Sequence, residues 1–230
     1  HTTTDLARES SKGGSFFIHT CMECKYPQHL QTYLDSGSFD EKWSRTLRNF
    51  FLDKVIASYA KGLKVIETGS RSGVFTYAAH YHGAKEALGI EFRSNFSKKS
   101  SKALENIPSC NVIHGDSRTF DHSDFDMVLC LGLLYNVKDK DKEIILEQVS
   151  KCKFVLAEFW TKNNDKLYPV SETVVHPNNT TQYLTNNVKS VEMLSSYFHH
   201  VEDITPQNHI AAPLQNRYYI CRQEEASLFL

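Results

Sequence analysis

Apolar and polar residues alternate along most of the chain in short runs whose period changes between that of a strand and that of a helix. Compact apolar runs predict five strands, at residues 64–67, 87–91, 110–114, 126–131 and 153–159. Apolar residues three or four positions apart predict helices at residues 39–62, 74–82, 96–106 and 139–152. Strands that alternate with helices in this way predict a parallel sheet with right-handed helical crossovers and helices on both faces.

The end of the chain departs from this alternation. Residues 189–198 predict a helix, and residues 200–204 and 217–222 predict two strands joined by a loop that contains Pro206 and Pro213. We expect these strands to form an antiparallel hairpin at the edge of the sheet. The predicted fold class is therefore α/β, with a doubly wound, mostly parallel seven-stranded sheet and a C-terminal antiparallel hairpin.

The chain length favours one domain with an additional segment, since 230 residues exceed the size of a typical domain of about 150 residues. Residues 1–38 are rich in Ser, Thr and Gly and predict an N-terminal arm with one short strand at 15–19. The main domain then spans residues 39–230. Residues 161–187 are polar and too long for an ordinary connection. They are either a substrate lid or a poorly ordered loop, and we favour the lid because ligands bind at the carboxyl ends of such strands.

Composition excludes two classes of function. The chain has 26 Lys and Arg residues against 27 Asp and Glu residues, a net charge of -1, which disfavours the basic surface needed for bulk binding to DNA. Lys98, Lys99 and Lys102 form one basic helical face, which we interpret as a solvated surface. No apolar run approaches the roughly 18 residues of a membrane span, and the first residues are polar. We expect an intracellular, cytoplasmic protein with no membrane contact.

The cysteines indicate free thiols. Cys130 and Cys152 lie in apolar runs, where a thiol behaves as a small hydrophobic group, and this favours a reducing compartment. Cys21 and Cys24 have the spacing of a metal-binding pair, with His19 or His29 as candidate further ligands. The second half of a zinc motif is missing from the local pattern, so no metal site is predicted.

Residues 65–73 join a predicted strand to a helix through a glycine turn, in which backbone amides approach a ligand. A dinucleotide-binding fingerprint would need glycines at positions 69, 71 and 74, but Arg71 and Val74 occupy two of these. A nucleotide-dependent oxidoreductase is therefore disfavoured. Glu67 at the strand end repels a phosphate and instead suits a cationic ammonium group.

The pattern Glu67-x-Gly69-x-Arg71-x-Gly73 resembles the first motif of class I S-adenosylmethionine-dependent methyltransferases. Glu91 ends the second strand, and Gly115-Asp116-Ser117 follows the third, where this family also has ligand-binding residues. Residues 125–136 resemble the fourth motif of the family, and the similarity extends over roughly residues 40–222.

The resemblance implies S-adenosylmethionine as the cofactor and assigns roles to individual residues. Glu91 would accept hydrogen bonds from the ribose hydroxyls, and Asp116 and Ser117 would lie at the adenine edge. Arg71 departs from the family, which commonly has a small residue there. The implied cofactor-binding residues are Glu67, Gly69, Ser70, Arg71, Gly73, Glu91, Phe92, Asp116, Ser117, Leu131 and Gly132.

Methyl transfer is an in-line displacement, so the protein must align the acceptor with the methyl group and exclude water. Tyr135 and Asn136 after the fourth strand and Glu158 in the fifth are the candidate catalytic residues. Two of these also have structural interpretations: Tyr135 as an apolar cover over the cofactor, and Glu158 as one partner of an ion pair. Trp160 either stacks on a planar substrate or packs in the domain.

The acceptor is expected to be a small molecule or an RNA nucleotide. The Asp/Asn-Pro-Pro-Tyr motif of enzymes that methylate amines of DNA bases is missing. Viral cap ribose methyltransferases use a Lys-Asp-Lys-Glu set of catalytic residues. Lys42 could match the first lysine of this set, but Leu131 or Gly132 occupies the position where the Asp is expected. A cap ribose methyltransferase is therefore disfavoured. The alternative function is a non-catalytic binding or scaffold module with the same fold.

Overall fold

A mixed sheet of nine strands forms the centre of the fold in the computed structural model, which describes residues 28–37, 39, 47–162, 171–175, 181–206 and 214–223. The strands are β1 (Lys64–Thr68), β2 (Glu86–Glu91), β3 (Cys110–His114), β4 (Met127–Cys130), β5 (Phe154–Lys162), β6 (Ser171–Val175), β7 (Thr181–Asn186), β8 (His200–Asp203) and β9 (Leu214–Arg222). The first five strands pair in parallel in the order β3-β2-β1-β4-β5. β9 lies antiparallel between β5 and β8. The predicted α/β fold class, with its C-terminal antiparallel hairpin, is confirmed.

Helices cover both faces of the sheet. Among the described residues they are α1 (Gln28–Ser36), α2 (Leu47–Tyr59), α3 (Val74–Tyr81), α4 (Ser94–Leu104), α5 (Asp139–Val149) and α6 (Asn187–Ser195), and a 3-10 turn lies at Leu134–Asn136. Successive strand residues face opposite sides, so Val65 joins the core beneath α1, α2 and α3, whereas Ile66 joins the core beneath α5 and α6. Burial on both faces explains why the central strands consist of continuous apolar runs.

The structure corrects the predicted N-terminal arm. Residues 28–36 form helix α1, whose Leu30, Tyr33 and Leu34 are buried in the main core. A helix of nine residues completes only two and a half turns, too few for its periodicity to stand out in a polar segment. The predicted strand at 15–19 lies outside the described residues.

The helix predicted from residue 39 begins later, at Leu47. Phe39 is not helical, and its ring instead packs against Tyr33 with 5.7 Å between ring centroids. Phe39 belongs to the apolar pattern because it contributes to the same core as α2, although it lies outside the helix. Ser38 and residues 40–46 lie outside the described residues.

A hairpin occupies part of the predicted lid. β6 and β7 pair antiparallel, and β7 also pairs in parallel with the last two residues of β5, Thr161 and Lys162. Because β5 extends beyond the end of β4, its edge is open at this point, and β7 pairs with it there. These strands were not predicted, since Thr and other polar residues dominate them and give no apolar run.

Four of the cysteines are buried free thiols, as predicted: Cys110, Cys130, Cys152 and Cys221. Burial raises the pKa of Cys130 to about 12, so the thiol stays protonated and acts as a core residue. Cys21 and Cys24 lie outside the described residues. Every described helix is too short or too polar to cross a lipid bilayer.

Candidate active site

A cavity of about 970 Å³ lies at the carboxyl ends of β1, β2 and β4. Ligands bind at this edge in open α/β sheets. Most of the residues that the sequence assigned to the site line this cavity: Glu67, Gly69, Ser70, Arg71, Glu91, Phe92, Asp116, Ser117, Leu131, Gly132, Tyr135 and Asn136. Gly73 and Glu158 are not among the lining residues.

The turn after β1 has a backbone that favours glycine. Gly69 and Gly73 have φ angles of +68° and +72°, and Arg71 between them has a φ of +47°. A Cβ at Gly73 would lie 2.8 Å from Cγ2 of Val112, away from the cavity. Gly73 therefore shapes the turn and its packing on β3, and its assignment as a cofactor-binding residue stays a prediction.

Glu67 connects β1 to the first turn of α3. Its Oε2 accepts hydrogen bonds from the backbone nitrogen and the hydroxyl of Thr76, at 2.8 and 2.6 Å. A carboxylate at a helix N-terminus is favoured by the helix dipole and satisfies an unpaired amide. Glu67 thus fixes the start of α3 and also contributes negative charge to the wall of the cavity.

Glu91, at the end of β2, is bound by the residue two positions further along the chain. Its Oε1 accepts from the backbone nitrogen of Arg93 at 2.9 Å and from Nε of the same residue at 2.7 Å. Its Oε2 accepts from the backbone nitrogen of Arg71 at 2.8 Å. The Arg93 side chain is half exposed and also lies over the Phe96 ring. The Glu91 carboxylate is therefore buried, and its cationic partner is largely in contact with solvent.

Asp116, after β3, repeats this arrangement. Arg118, again two residues further on, donates to both carboxylate oxygens and also donates to Asp141 of α5 at 3.1 Å. These hydrogen bonds hold the pKa of Asp116 below its usual range. Two acids at neighbouring strand ends thus face one cavity, each paired with a partly exposed arginine.

Glu158 is completely buried beneath the end of β4. Its carboxylate accepts from Nε of Arg48 at 2.6 Å, from the backbone nitrogen of Gly132 at 2.7 Å and from Nδ2 of Asn216 at 2.7 Å. The charge and hydrogen bonds of Glu158 outweigh the effect of burial and raise the pKa of Arg48. Of the two interpretations of Glu158, the ion pair is therefore the one present in the structure.

Tyr135 and Asn136 form the 3-10 turn beside Gly132. Burial, together with the charge of Glu158, raises the pKa of Tyr135 above its usual range, so its hydroxyl stays protonated. The Tyr135 ring meets Trp160 edge to face at 5.9 Å between centroids. Asn136 donates through Nδ2 to the backbone oxygen of Gly132 at 2.6 Å, which fixes the turn.

Among the lining residues that the sequence analysis did not assign are Arg48 from α2, and Thr181 and Gln182 from β7. The acid within the apolar run of β5 was a usable signal for Arg48, because a buried carboxylate needs a cationic partner. We find no sequence signal for Thr181 and Gln182, because their position depends on the pairing of β7 with β5.

No protein-family model matches the sequence, and no curated protein matches it. Solved structures do match. The N-terminal domain of EvdMO1 with S-adenosylhomocysteine bound is 15% identical with a TM-score of 0.64, covering 86% of this chain and 96% of that chain. The PH0226 protein from Pyrococcus horikoshii OT3 is 13% identical with a TM-score of 0.61, covering 87% of this chain and 100% of that chain.

A third match is a methyltransferase with two bound ligands. The Burkholderia thailandensis 1,6-didemethyltoxoflavin-N1-methyltransferase, with 1,6-didemethyltoxoflavin and S-adenosylhomocysteine bound, is 10% identical with a TM-score of 0.61. That match covers 84% of this chain and 86% of the other. At such low sequence identity, these structural matches establish the fold alone. The chain has the fold of class I S-adenosylmethionine-dependent methyltransferases.

Proposed function

We propose that this protein is an S-adenosylmethionine-dependent methyltransferase whose acceptor is a small molecule. The observation that carries the proposal is the meeting of Glu91 and Asp116 with the glycine turn at Gly69 around one cavity. In an open α/β sheet this edge is where a nucleoside-like ligand binds. The matching structures with S-adenosylhomocysteine bound support the choice of cofactor.

The residues of the cavity fit this cofactor. The bound cofactor would supply a methyl group on a positively charged sulfur. Glu67 and Glu91 contribute negative charge, which favours a cationic ligand over a phosphate. Ribose hydroxyls would bind the buried Glu91 carboxylate after the Arg93 guanidinium moves away, and because the Arg93 side chain is half exposed, water would solvate the released guanidinium. The cavity of about 970 Å³ is at the upper end of small-molecule sites.

The acceptor end of the cavity lies between the 3-10 turn and the β6–β7 hairpin. Tyr135 and Asn136 line it from the turn, and Thr181 and Gln182 line it from β7. We propose that this hairpin, within the segment near 161–187, acts as the substrate lid. Its place beside the turn restricts access, which suits a compact acceptor and helps to exclude water.

The protonation states favour an acceptor that needs little help from a base. Tyr135 keeps its proton at neutral pH. Glu158 already accepts hydrogen bonds from Arg48, Gly132 and Asn216. A neutral amine, a carboxylate or a thiolate can attack a methyl group without transferring a proton to either residue first, whereas a ribose hydroxyl requires a base. Tyr135 and Asn136 would then position the acceptor, and Glu158 would position Arg48 and Gly132.

Calorimetry with S-adenosylhomocysteine tests the cofactor site. We expect binding by the wild type and a loss of about 1–3 kcal/mol in Glu91→Ala, since charge-assisted hydrogen bonds to the ribose would be lost. Glu86→Ala is a matched control, because Glu86 begins the same strand and lies outside the cavity. Absence of binding by the wild type would refute the proposal.

A turnover assay tests the acceptor class. The protein is incubated with S-adenosylmethionine and either a small-molecule extract or total RNA, and the release of S-adenosylhomocysteine is measured. We expect release only with the small-molecule extract. Release only with RNA would reject the acceptor class, and tight cofactor binding without turnover in either extract would favour the non-catalytic module.

A further inference from the structure

Two histidines and an aspartate meet on the face of the sheet covered by α1, α2 and α3. His29 lies in α1, Asp53 lies in α2, and His82 follows the last residue of α3. The two Nε2 atoms, of His29 and His82, lie 3.1 and 2.8 Å from the same oxygen of Asp53, its Oδ1. Each residue offers one candidate ligand atom, and these three atoms all lie within 4.8 Å of one another. None of these residues lines the candidate active site.

The donor set is that of a transition-metal site. Imidazole nitrogens and one carboxylate oxygen are ligands for zinc and related divalent ions. In a tetrahedral zinc site with metal–ligand distances of about 2.0–2.1 Å, neighbouring ligand atoms are about 3.3 Å apart. The two contacts with Asp53, of 2.8 and 3.1 Å, need to open by a few tenths of an ångström, and the candidate ligand atoms of the two imidazoles lie within 4.8 Å of each other.

The three side chains are held in place before any ion binds. The side-chain exposures of His29, Asp53 and His82 are 12%, 9% and 18%, so the cluster is largely shielded but keeps an open side. The His29 ring stacks on Tyr81 with 3.8 Å between centroids. The His82 backbone nitrogen donates to Ala78 and so ends α3 in a fixed geometry. Little side-chain entropy remains to be lost on binding, which favours affinity.

We propose that His29, Asp53 and His82 bind one divalent transition-metal ion of the zinc class, with water as the fourth ligand. This revises the expectation from the sequence that the chain has no metal site. The ion joins α1 to α2 and α3. It also supports the glycine turn from a distance, because the hydroxyl of Tyr33 in α1 donates to the backbone oxygen of Ser72.

Metal titration of the full chain, stripped with a chelator and dialysed, tests the proposal. We expect one Zn²⁺ ion per chain by calorimetry and a thermal midpoint that rises with Zn²⁺ concentration. His29→Gln and His82→Gln should each weaken binding by more than about tenfold, since even loss of an indirect partner of a ligand has an effect of this size. His80→Gln is the matched control, because His80 lies in α3 outside the cluster, and its affinity should be unchanged.

Asp53→Asn separates a metal site from a hydrogen-bonded cluster that lacks an ion. Asparagine keeps an oxygen that accepts from both imidazoles but removes the negative charge, so the metal-free midpoint should change little while Zn²⁺ affinity falls by more than about tenfold. Unchanged affinity in this variant or in His82→Gln would overturn the proposal, as would a wild type that binds no ion.

Cobalt spectroscopy checks the ligands independently of stability. Co²⁺ bound by nitrogen and oxygen alone lacks the intense thiolate-to-metal charge-transfer absorption in the near ultraviolet. We expect no such band, and we expect unchanged affinity when Cys21 and Cys24 are both replaced by Ser. A charge-transfer band that disappears with these cysteines would assign the ion to them and overturn the proposal.

Discussion

The carboxylate of Glu158 binds the guanidinium of Arg48, which lies 110 positions earlier in the sequence. Oε1 of Glu158 is 2.6 Å from Nε of Arg48. Glu158 is fully buried, and the Arg48 side chain is 13% exposed. The pair connects α2 to β5 directly beneath the end of β4, so the position of α2 and that of the Gly132 turn depend on each other.

This pair should dominate the mutational response of the site. Glu158→Gln leaves Arg48 as an uncompensated buried charge, and we expect the free energy of unfolding to fall by about 3–5 kcal/mol in urea titrations. Adding Arg48→Met to this variant should recover part of the loss, because the unpaired charge is then removed. Additive losses in the double-mutant cycle would contradict a direct coupling between the two side chains.

Arg93 competes with the proposed cofactor for the carboxylate of Glu91. Arg93→Ala should therefore bind S-adenosylhomocysteine more tightly, by about fivefold, because the half-exposed Arg93 guanidinium, unlike the buried Glu91 carboxylate, is readily solvated and its pairing contributes about 1 kcal/mol. Calorimetry at low and high salt measures the effect, and the gain should shrink as salt screens the pair. Weaker binding in this variant would show that Arg93 contacts the ligand instead of competing with it.

Substitutions at Gly73 and Gly62 separate two causes of destabilisation, which are a left-handed backbone conformation and steric crowding by a new side chain. Gly73→Ala combines a φ of +72° with a Cβ 2.8 Å from Val112, whereas Gly62→Ala has a φ of +78° and no atom within 4 Å. The Gly62 variant should lose about 1–2 kcal/mol from the left-handed conformation alone. The Gly73 variant should lose more, since its new methyl group also displaces a packed side chain. Equal losses in thermal unfolding would show that the packing adjusts freely.

His122 predicts a pH dependence of stability. Its side chain is completely buried, and burial lowers its pKa to about 4. The unfolded chain, with a histidine pKa of about 6.5, binds a proton as the pH falls from about 7 to 4, while the folded chain does not. The free energy of unfolding therefore falls by about 3 kcal/mol over this range.

Replacement of His122 by Asn should remove this contribution to the slope of stability against pH. The matched control is His200→Asn, because the His200 side chain is 45% exposed and its replacement should leave the slope nearly unchanged. Chemical denaturation at several pH values measures both. The same slope in His122→Asn and the wild type would contradict a neutral buried imidazole.

The sequence predicted the parallel strands because they are buried on both faces and end at polar or glycine residues. Glu67, Glu91 and Asp116 could be assigned to one site for the same reason, since parallel strands bring their carboxyl ends to one edge. Helix α1 and the β6–β7 hairpin were not predicted, because α1 is short and the hairpin is polar. Both are stabilised by contacts with distant segments, such as Tyr33 with Ser72 and Thr161 with Thr185.

Two groups of side chains show more clearly what could not be predicted from the sequence. They are the pair of Arg48 with Glu158 and the cluster of His29, Asp53 and His82. Apart from Glu158, which interrupts an apolar run, these side chains have an ordinary local sequence context, and only the docking of helices on the sheet brings them together. A buried acid predicts that a cation is nearby, but it does not say which one. Ion pairs and metal clusters of this kind are therefore recognised from the fold.

The burial of Tyr33 in the main core affects how far the chain can be truncated from its N-terminus. Leu30, Tyr33 and Leu34 fill part of the main core, and the tyrosine hydroxyl reaches Ser72. A truncated form that started at Leu47 would keep all nine described strands yet expose apolar surface beside the glycine turn. Such a form should aggregate or lose its ligand, so versions designed for crystallisation or assay should start before Gln28.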